Sequence, residues 1–283
     1  MADIFSSETY DTESYLKSRS TYPTLLYDTI LEYHTRNSDG SRDLVVDVGC
    51  GPGQVASVLH EYFKQVIAVD PSTSMLETAR RANSRPSITY QVGEAENMPF
   101  IHDANVDMVT AGTAAHWFPA EWWKEAYRIC KPGSTVAIFT SYGSFAHPRN
   151  RFWPELQQAF DLVEQTIIPY KTAGNVIVSN MYDDLPLPLT GFSQCTRMCW
   201  NRKGKVQGDE DFALHTRLTA DQIVARLSTY GPMTTLSSRN PDLVGRPEHP
   251  LEKLRASIKD LGYHDNDLVD FGHSLSLLLF TKL

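Results

Sequence analysis

The stretch VVDVGCGPGQVASVLHEYFKQVIAVDPS, residues 45–72, decides the architecture. A run of branched aliphatics ends near Asp47, glycines follow at Gly49, Gly51 and Gly53, and after a helix-length segment a second aliphatic run ends in Asp70. Strand, glycine turn, helix and strand in that order make a βαβ unit, with two parallel strands and the crossover on one face. Glycine accepts positive φ and lets a ligand approach the backbone closely. A loop feeding a helix N-terminus also presents N–H groups without intrahelical partners.

Working outward, the alternation continues. STSMLETARRAN reads as a helix that Ser72 or Thr73 can cap, SITYQVG as a third strand and VDMVTAG as a fourth. AEWWKEAYRIC is a helix ended by KPG, and STVAIFTSY a fifth strand. Upstream, residues 12–36 form two helical pieces broken at TYP. After Ser141 the regular pattern stops: FWPELQQAFDLVEQTII is an amphipathic helix, MYDDLPLPLTGF a proline-rich loop, and NRKGKVQGDEDF a polar, exposed segment. LTADQIVARLSTYG, capped at Thr219 or Asp221, and PLEKLRASIKDLG are further helices; HSLSLLLFTKL closes as a strand able to pair antiparallel with 192–200. The expectation is one doubly wound, Rossmann-like α/β domain. Its seven-stranded sheet is mostly parallel with an antiparallel C-terminal strand. A helical N-terminal lid (1–40) precedes a ligand-binding core (41–142), an insertion (143–190) and the C-terminal part of the sheet and helices (191–283).

Composition narrows the function. With 283 residues, 41% hydrophobic and 21% charged, the chain can bury a sizeable core. A formal charge of −8 argues against a broad nucleic-acid surface, which needs clustered Lys and Arg. No apolar run approaches the roughly 18–20 residues of a membrane span, and the acidic start lacks a signal-peptide core. The four cysteines form no CxxC pair, and Cys195 and Cys199 read as half-buried strand residues; the nine histidines contain no HxxxH pair. A reduced cytoplasmic protein without structural metal is expected.

The glycine loop admits two ligand classes. The dinucleotide fingerprint is GxGxxG, but here the glycines run GxGxG and Gln54 stands where the third fingerprint glycine belongs. Asp47, just before the loop, is a poor neighbour for a pyrophosphate and a good one for an amino group and a sulfonium. The loop therefore suits S-adenosylmethionine better than NAD. Asp70, 23 residues further on at a strand end, is placed to accept hydrogen bonds from ribose hydroxyls.

On these residues the chain resembles the class I S-adenosylmethionine-dependent methyltransferases: VVDVGCGPG is similar to their first motif, VIAVDPS to their second, and VGEAENMPF to the segment after the third strand. The resemblance implies that Glu94, where Asp is usual, accepts the adenine amino group and that the Ala95 N–H faces the adenine ring. Met75 lies either on the adenine face or in the core. YLKSRSTYP, AAHWF at 114–118, YDDLPLPLTGF and HSLSLLLFTK resemble, in the same order, segments of the trans-aconitate methyltransferase-like proteins. That resemblance implies a lid of Tyr15, Arg19 and Tyr22, with Tyr22 nearest the cofactor.

Methyl transfer is an in-line displacement, so alignment and exclusion of water carry much of the catalysis. A hydroxyl acceptor also needs a base; a carboxylate does not. His116, following the fourth strand, is the candidate base or a positioning residue, with Trp117 beside it at the acceptor. Trp153, Tyr170 and Tyr182 are candidates for an aromatic acceptor wall, and Arg149, Arg151 and Lys171 for carboxylate anchors. The expected activity is methylation of a small molecule at a carboxylate or hydroxyl oxygen, releasing S-adenosylhomocysteine. The alternative is a protein of the same fold that binds the cofactor without transferring its methyl.

Overall fold

The computed structural model describes residues 11–18, 22–202 and 214–283. Arg19 of the expected lid, and most of the polar NRKGKVQGDEDF segment, lie outside them. The strands are β1 (Leu44–Val48), β2 (Gln65–Asp70), β3 (Ile88–Val92), β4 (Val106–Gly112), β5 (Cys130–Ala146), β6 (Thr196–Trp200), β7 (Leu214–Leu218) and β8 (Val269–Thr281). They form one sheet in the order β3-β2-β1-β4-β5-β8-β6, and β7 also pairs with β8. The first five are parallel; β8 runs antiparallel to β5, β6 and β7.

Eight strands therefore occupy seven positions. β6 pairs with the C-terminal half of β8 (Thr196↔Leu279 to Trp200↔Leu275), and β7 with the N-terminal half (Leu214↔His273 to Leu218↔Val269), so two short strands share one edge lane. The 192–200 segment does pair antiparallel with the closing strand. The eighth strand went unread because its pairing depends on the length of β8, which a local pattern does not reveal.

The helices are α1 (Thr12–Ser18), α2 (Thr24–Asn37), α3 (Ala56–Leu59), α4 (Thr73–Ala82), α5 (Trp122–Ile129), α6 (Trp153–Ile167), α7 (Ala173–Ser179), α8 (Ala220–Ser228), α9 (Gly231–Arg239) and α10 (Pro250–Asp260). β1 is buried along its whole length, as its uninterrupted aliphatic run requires of a central strand covered on both faces. α2, α3 and α4 cover one face through Leu26, Ile30, Leu59 and Leu76; α5 covers the other through Trp122, Trp123 and Ala126. β8 feeds both layers by its period of two: Leu275, Leu277 and Leu279 join the first, Leu278 and Phe280 the second. A third cluster joins α6, α8, α9 and α10 around Phe271.

Two elements differ from the sequence reading. The helix expected over 54–63 is regular only at α3, flanked by hydrogen-bonded turns, because the glycine loop winds through residues 51–55. β5 runs 17 residues, from before KPG to beyond Tyr142, because β8 offers partners along it, from Thr135↔Thr281 to Ala146↔Phe271. Ser72 caps α4 as expected, accepting from Met75 N, and Thr219 caps α8 in a box with Gln222. Strand order reverses between β1 and β4, which opens a crevice at their C-terminal ends.

Candidate active site

That crevice holds a cavity of about 500 Å³. Gly49 and Gly51 from the β1 loop, Asp70 and Met75 from β2 and α4, and Glu94 and Ala95 after β3 all line it. The segment after β4 supplies Thr113, His116 and Trp117. Residues singled out along the sequence thus meet around one void.

The loop is shaped by its backbone. Gly49 N and Cys50 N both donate to Val69 O, at 2.8 and 3.0 Å, tying the turn to the end of β2. Gly49 has φ +68°, and a Cβ there would stand 2.5 Å from Ala114 Cβ, so this glycine lets the loops after β1 and β4 touch. Gly51 has φ +52° with no atom within 4 Å of a would-be Cβ; it keeps the cavity open. Gly53 does not line the cavity. A Cβ there would meet Tyr90 Oη at 2.9 Å, so its task is packing against β3.

Asp70 ties the site together. Its Oδ2 accepts from Gly51 N at 2.8 Å and its Oδ1 from Ser72 N at 2.9 Å, joining the glycine loop to the start of α4. Each oxygen has a second lone pair for a ligand hydroxyl. Asp47 lies beneath the loop, 1% exposed, outside the cavity wall. Thr110 Oγ1 donates to its Oδ1 at 2.8 Å, while its Oδ2 is buried without a hydrogen-bond partner among the described residues. Burial pushes its pKa up to about 7, and the nearby Asp70 charge adds to the rise. An orphaned buried carboxylate oxygen beside an open glycine fits a ligand that brings a cationic group.

His116 is half-buried in a short 3-10 turn, its ring 4.7 Å from that of Trp117. Its Nδ1 lies 3.0 Å from Tyr182 Oη, which leaves Nε2 for the cavity. Burial lowers the His116 pKa to about 3. Tyr182 is wholly buried, which pushes its phenol well above its ordinary range. It sits behind His116 rather than on the cavity wall. Met181 and Tyr182 both have positive φ, +57° and +64°, a costly pair for residues with side chains, and this turn delivers the phenol to the imidazole.

The other candidates separate. Tyr22 is outside the cavity wall; its hydroxyl meets Thr113 Oγ1 at 2.6 Å and its ring packs edge-on to Phe139. Tyr15, on α1, does line the cavity, and α1 packs against α4 and α8. Trp153 and Tyr170 line neither this cavity nor its neighbour. Trp153 begins α6 with Pro154 behind it and faces solvent, and Tyr170 is taken up by Arg239 and Asn240. Arg149 and Arg151 also line neither cavity, and Lys171 is paired with Glu164 at 2.6 Å. Sequence reading missed Tyr142 on β5, Asn175 and Val178 on α7, and Tyr230 at the start of α9. No local motif marks them; the asparagine of the Thr172–Asn175 capping box was the one available signal.

Among the described residues no three His, Cys, Asp or Glu side chains cluster as a metal site, and no helix is long and apolar enough to cross a membrane. The four cysteines are free thiols.

Residues 46–138 match the family model described as a methyltransferase domain. A Saccharomyces cerevisiae protein described as an S-adenosylmethionine-dependent methyltransferase is 31% identical over 170 residues, 58% of this chain and 53% of that one. An Aspergillus candidus methyltransferase is 28% identical over 219 residues, 70% of this chain and 67% of that one. A malonyl-[acyl-carrier protein] O-methyltransferase from a Marinomonas species is 36% identical over 124 residues, 42% of this chain and 43% of that one. The match thus spans about half the length of the first of these relatives. A solved structure from Anaeromyxobacter dehalogenans, described as a type II methyltransferase, superposes with a TM-score of 0.69 at 23% identity, over 92% of this chain and 97% of that one. Residues 46–138 thus match a methyltransferase domain, and the sheet around them has the Rossmann-like fold of class I S-adenosylmethionine-dependent methyltransferases.

Proposed function

We propose that the chain transfers the methyl group of S-adenosylmethionine to an oxygen of a small molecule, a hydroxyl or a carboxylate. The observation that carries this reading is the meeting of Gly51, Asp70, Met75 and Ala95 with His116 and Trp117 around one void. The first four suit a nucleoside with a cationic amino-acid tail; the last two stand after β4, opposite them. The similarity to a malonyl-[acyl-carrier protein] O-methyltransferase supports oxygen as the acceptor atom.

When bound, S-adenosylmethionine supplies a methyl group made electrophilic by its sulfonium. Asp70 would hold the ribose hydroxyls, and the Asp47 carboxylate would compensate the ligand's positive charge from below the loop. Ala95 and Met75 would flank the adenine, with Glu94 at its amino group. Tyr15 and α1 would close the mouth and exclude water. His116 Nε2 would hold the acceptor oxygen or take its proton, with Tyr182 fixing the ring through Nδ1. A methyltransferase-fold protein that only binds the cofactor would show the same glycine loop, so turnover decides. Purified protein incubated with S-adenosylmethionine and fractionated metabolite extract should release S-adenosylhomocysteine in step with a metabolite gaining one methyl, read by mass spectrometry. Tight S-adenosylhomocysteine binding without methylation in any fraction would leave only the binding reading.

A further inference from the structure

Beside the cofactor cavity lies a second void of about 580 Å³, and Tyr142 and Tyr230 belong to the walls of both. We propose that this void is the acceptor chamber and that it selects an uncharged or cationic molecule with an apolar body over one carrying a carboxylate. The inference rests on the methyl-transfer reading above and narrows its acceptor to the hydroxyl class.

One part of the wall is apolar, with Phe145, Phe160, Val163, Ile167, Leu227 and Met233 in it. Such a surface holds a hydrocarbon or aromatic body by burial alone. Its charged lining is acidic: Asp161, Glu164, Asp183 and Asp184, with Arg202 the sole cation among the described lining residues. The cations here are already committed. Lys171, its side chain 11% exposed, gives its ammonium to Glu164 at 2.6 Å. Arg202 pairs with Asp183, and Arg197 stands 3.6 Å from the same carboxylate.

Two acids have no cationic partner among the described residues. Asp161 accepts from the Gln157 amide at 2.9 Å, and Asp184 from the Asn180 amide at 2.6 Å. Amides leave their full negative charge in place. A carboxylate entering this void would meet two uncompensated anions and no uncommitted cation among the described residues. A carboxylate moved out of water without a partner is disfavoured, and like charges at the entrance add to the rejection. An ammonium would meet the opposite field. Tyr142 stands between the two voids, its hydroxyl donating to Glu164 at 2.7 Å and the Lys171 ammonium 5.2 Å from its ring centroid. The partition is thereby fixed by the same ion pair that consumes the buried lysine.

Three phenols that differ only in their para tail test the idea: 4-ethylphenol, tyramine and 4-hydroxyphenylacetate. Their binding to the full chain saturated with S-adenosylhomocysteine is followed by ligand-observed NMR. The neutral and cationic phenols should bind at least tenfold more tightly than the carboxylate. Replacing the two exposed acids together, Asp161→Asn with Asp184→Asn, should shrink that gap to threefold or less. Equal or tighter binding of 4-hydroxyphenylacetate, a gap unmoved by the double substitution, or no binding of any of the three would overturn the assignment. If the expected order is found while the metabolite-extract assay releases no S-adenosylhomocysteine from S-adenosylmethionine, the charge preference stands and the methyl-transfer reading falls.

Discussion

Asp70→Ala separates two tasks that one carboxylate performs. In the unliganded protein its oxygens accept from Gly51 N at 2.8 Å and Ser72 N at 2.9 Å. Hydrogen bonds to a charged group contribute about 1.5–3 kcal/mol each. Gly51 borders the cavity, where water can replace part of its loss, so the low end of the range applies there. The substitution should cost about 2–4 kcal/mol of stability without any ligand, roughly a 3–7 °C fall in melting temperature for a chain of this size. Two ribose hydroxyl bonds should cost a further 2–4 kcal/mol of binding, about a 30- to 800-fold weaker Kd. Scanning calorimetry without ligand reads the first loss, and titration with S-adenosylhomocysteine below the lowered melting point reads the second. An unchanged melting temperature would refute the tie between loop and helix. A lowered melting temperature with an unchanged Kd would leave Asp70 as scaffold and remove it from the ribose.

The two glycines should respond in opposite ways. Gly49→Ala forces a Cβ to within 2.5 Å of Ala114 Cβ at φ +68°, and should destabilise the fold by about 2–4 kcal/mol from backbone strain and overpacking together. Gly51→Ala meets nothing within 4 Å, and should cost about 1 kcal/mol of stability while weakening S-adenosylhomocysteine at least tenfold; a full-strength Kd in Gly51→Ala would show that the ligand does not approach there. His116 should leave a mark on stability against pH. Its folded pKa, lowered by burial to about 3, lies below the unfolded value of about 6.5, so the unfolded chain binds the extra proton between them. Its contribution is therefore complete above about pH 6.5 and declines as pH falls, at up to about 1.4 kcal/mol per unit, until the native ring protonates near pH 3. Urea midpoints of His116→Ala should show a flatter acid limb than the parent; superimposable limbs would refute the buried neutral imidazole. Any acid limb in turnover that belongs to His116 should likewise sit below about pH 4.

The meeting of the glycine loop and Asp70 at one cavity was legible because it is local. A strand end, a glycine turn and a carboxylate on the next strand are fixed relative to one another by one βαβ unit, so spacing alone brings Gly49, Gly51 and Asp70 together. His116 was legible for the same reason, since it follows the neighbouring strand β4. The register of that pairing, Asp47↔Thr110, is what gives Asp47 its side-chain donor. The alternation of strands and helices through Ile138 likewise set the order of layers before any coordinates. Local pattern alone therefore specified the class of fold, the sheet edge that carries the cavity and the glycine loop that lines it.

Tertiary structure decided the rest. Tyr182 was read as an acceptor wall, yet two successive positive-φ residues turn it inward onto His116 Nδ1, a contact across 66 positions that no periodicity encodes. Trp153 and Tyr170 were read as pocket aromatics because the insertion is rich in them, but α6 turns its apolar stripe of Leu156, Phe160 and Val163 toward α8 and α10 and leaves Trp153 in solvent. Lys171 was read as an anion anchor from its charge, and Glu164, seven residues away, had already claimed it. Local pattern fixes where a side chain leaves the backbone. Which neighbours then consume its charge, its hydroxyl or its exposed face depends on segments packed from elsewhere in the chain, and here that packing gave Lys171 to Glu164 and left Arg149 and Arg151 off both cavity walls.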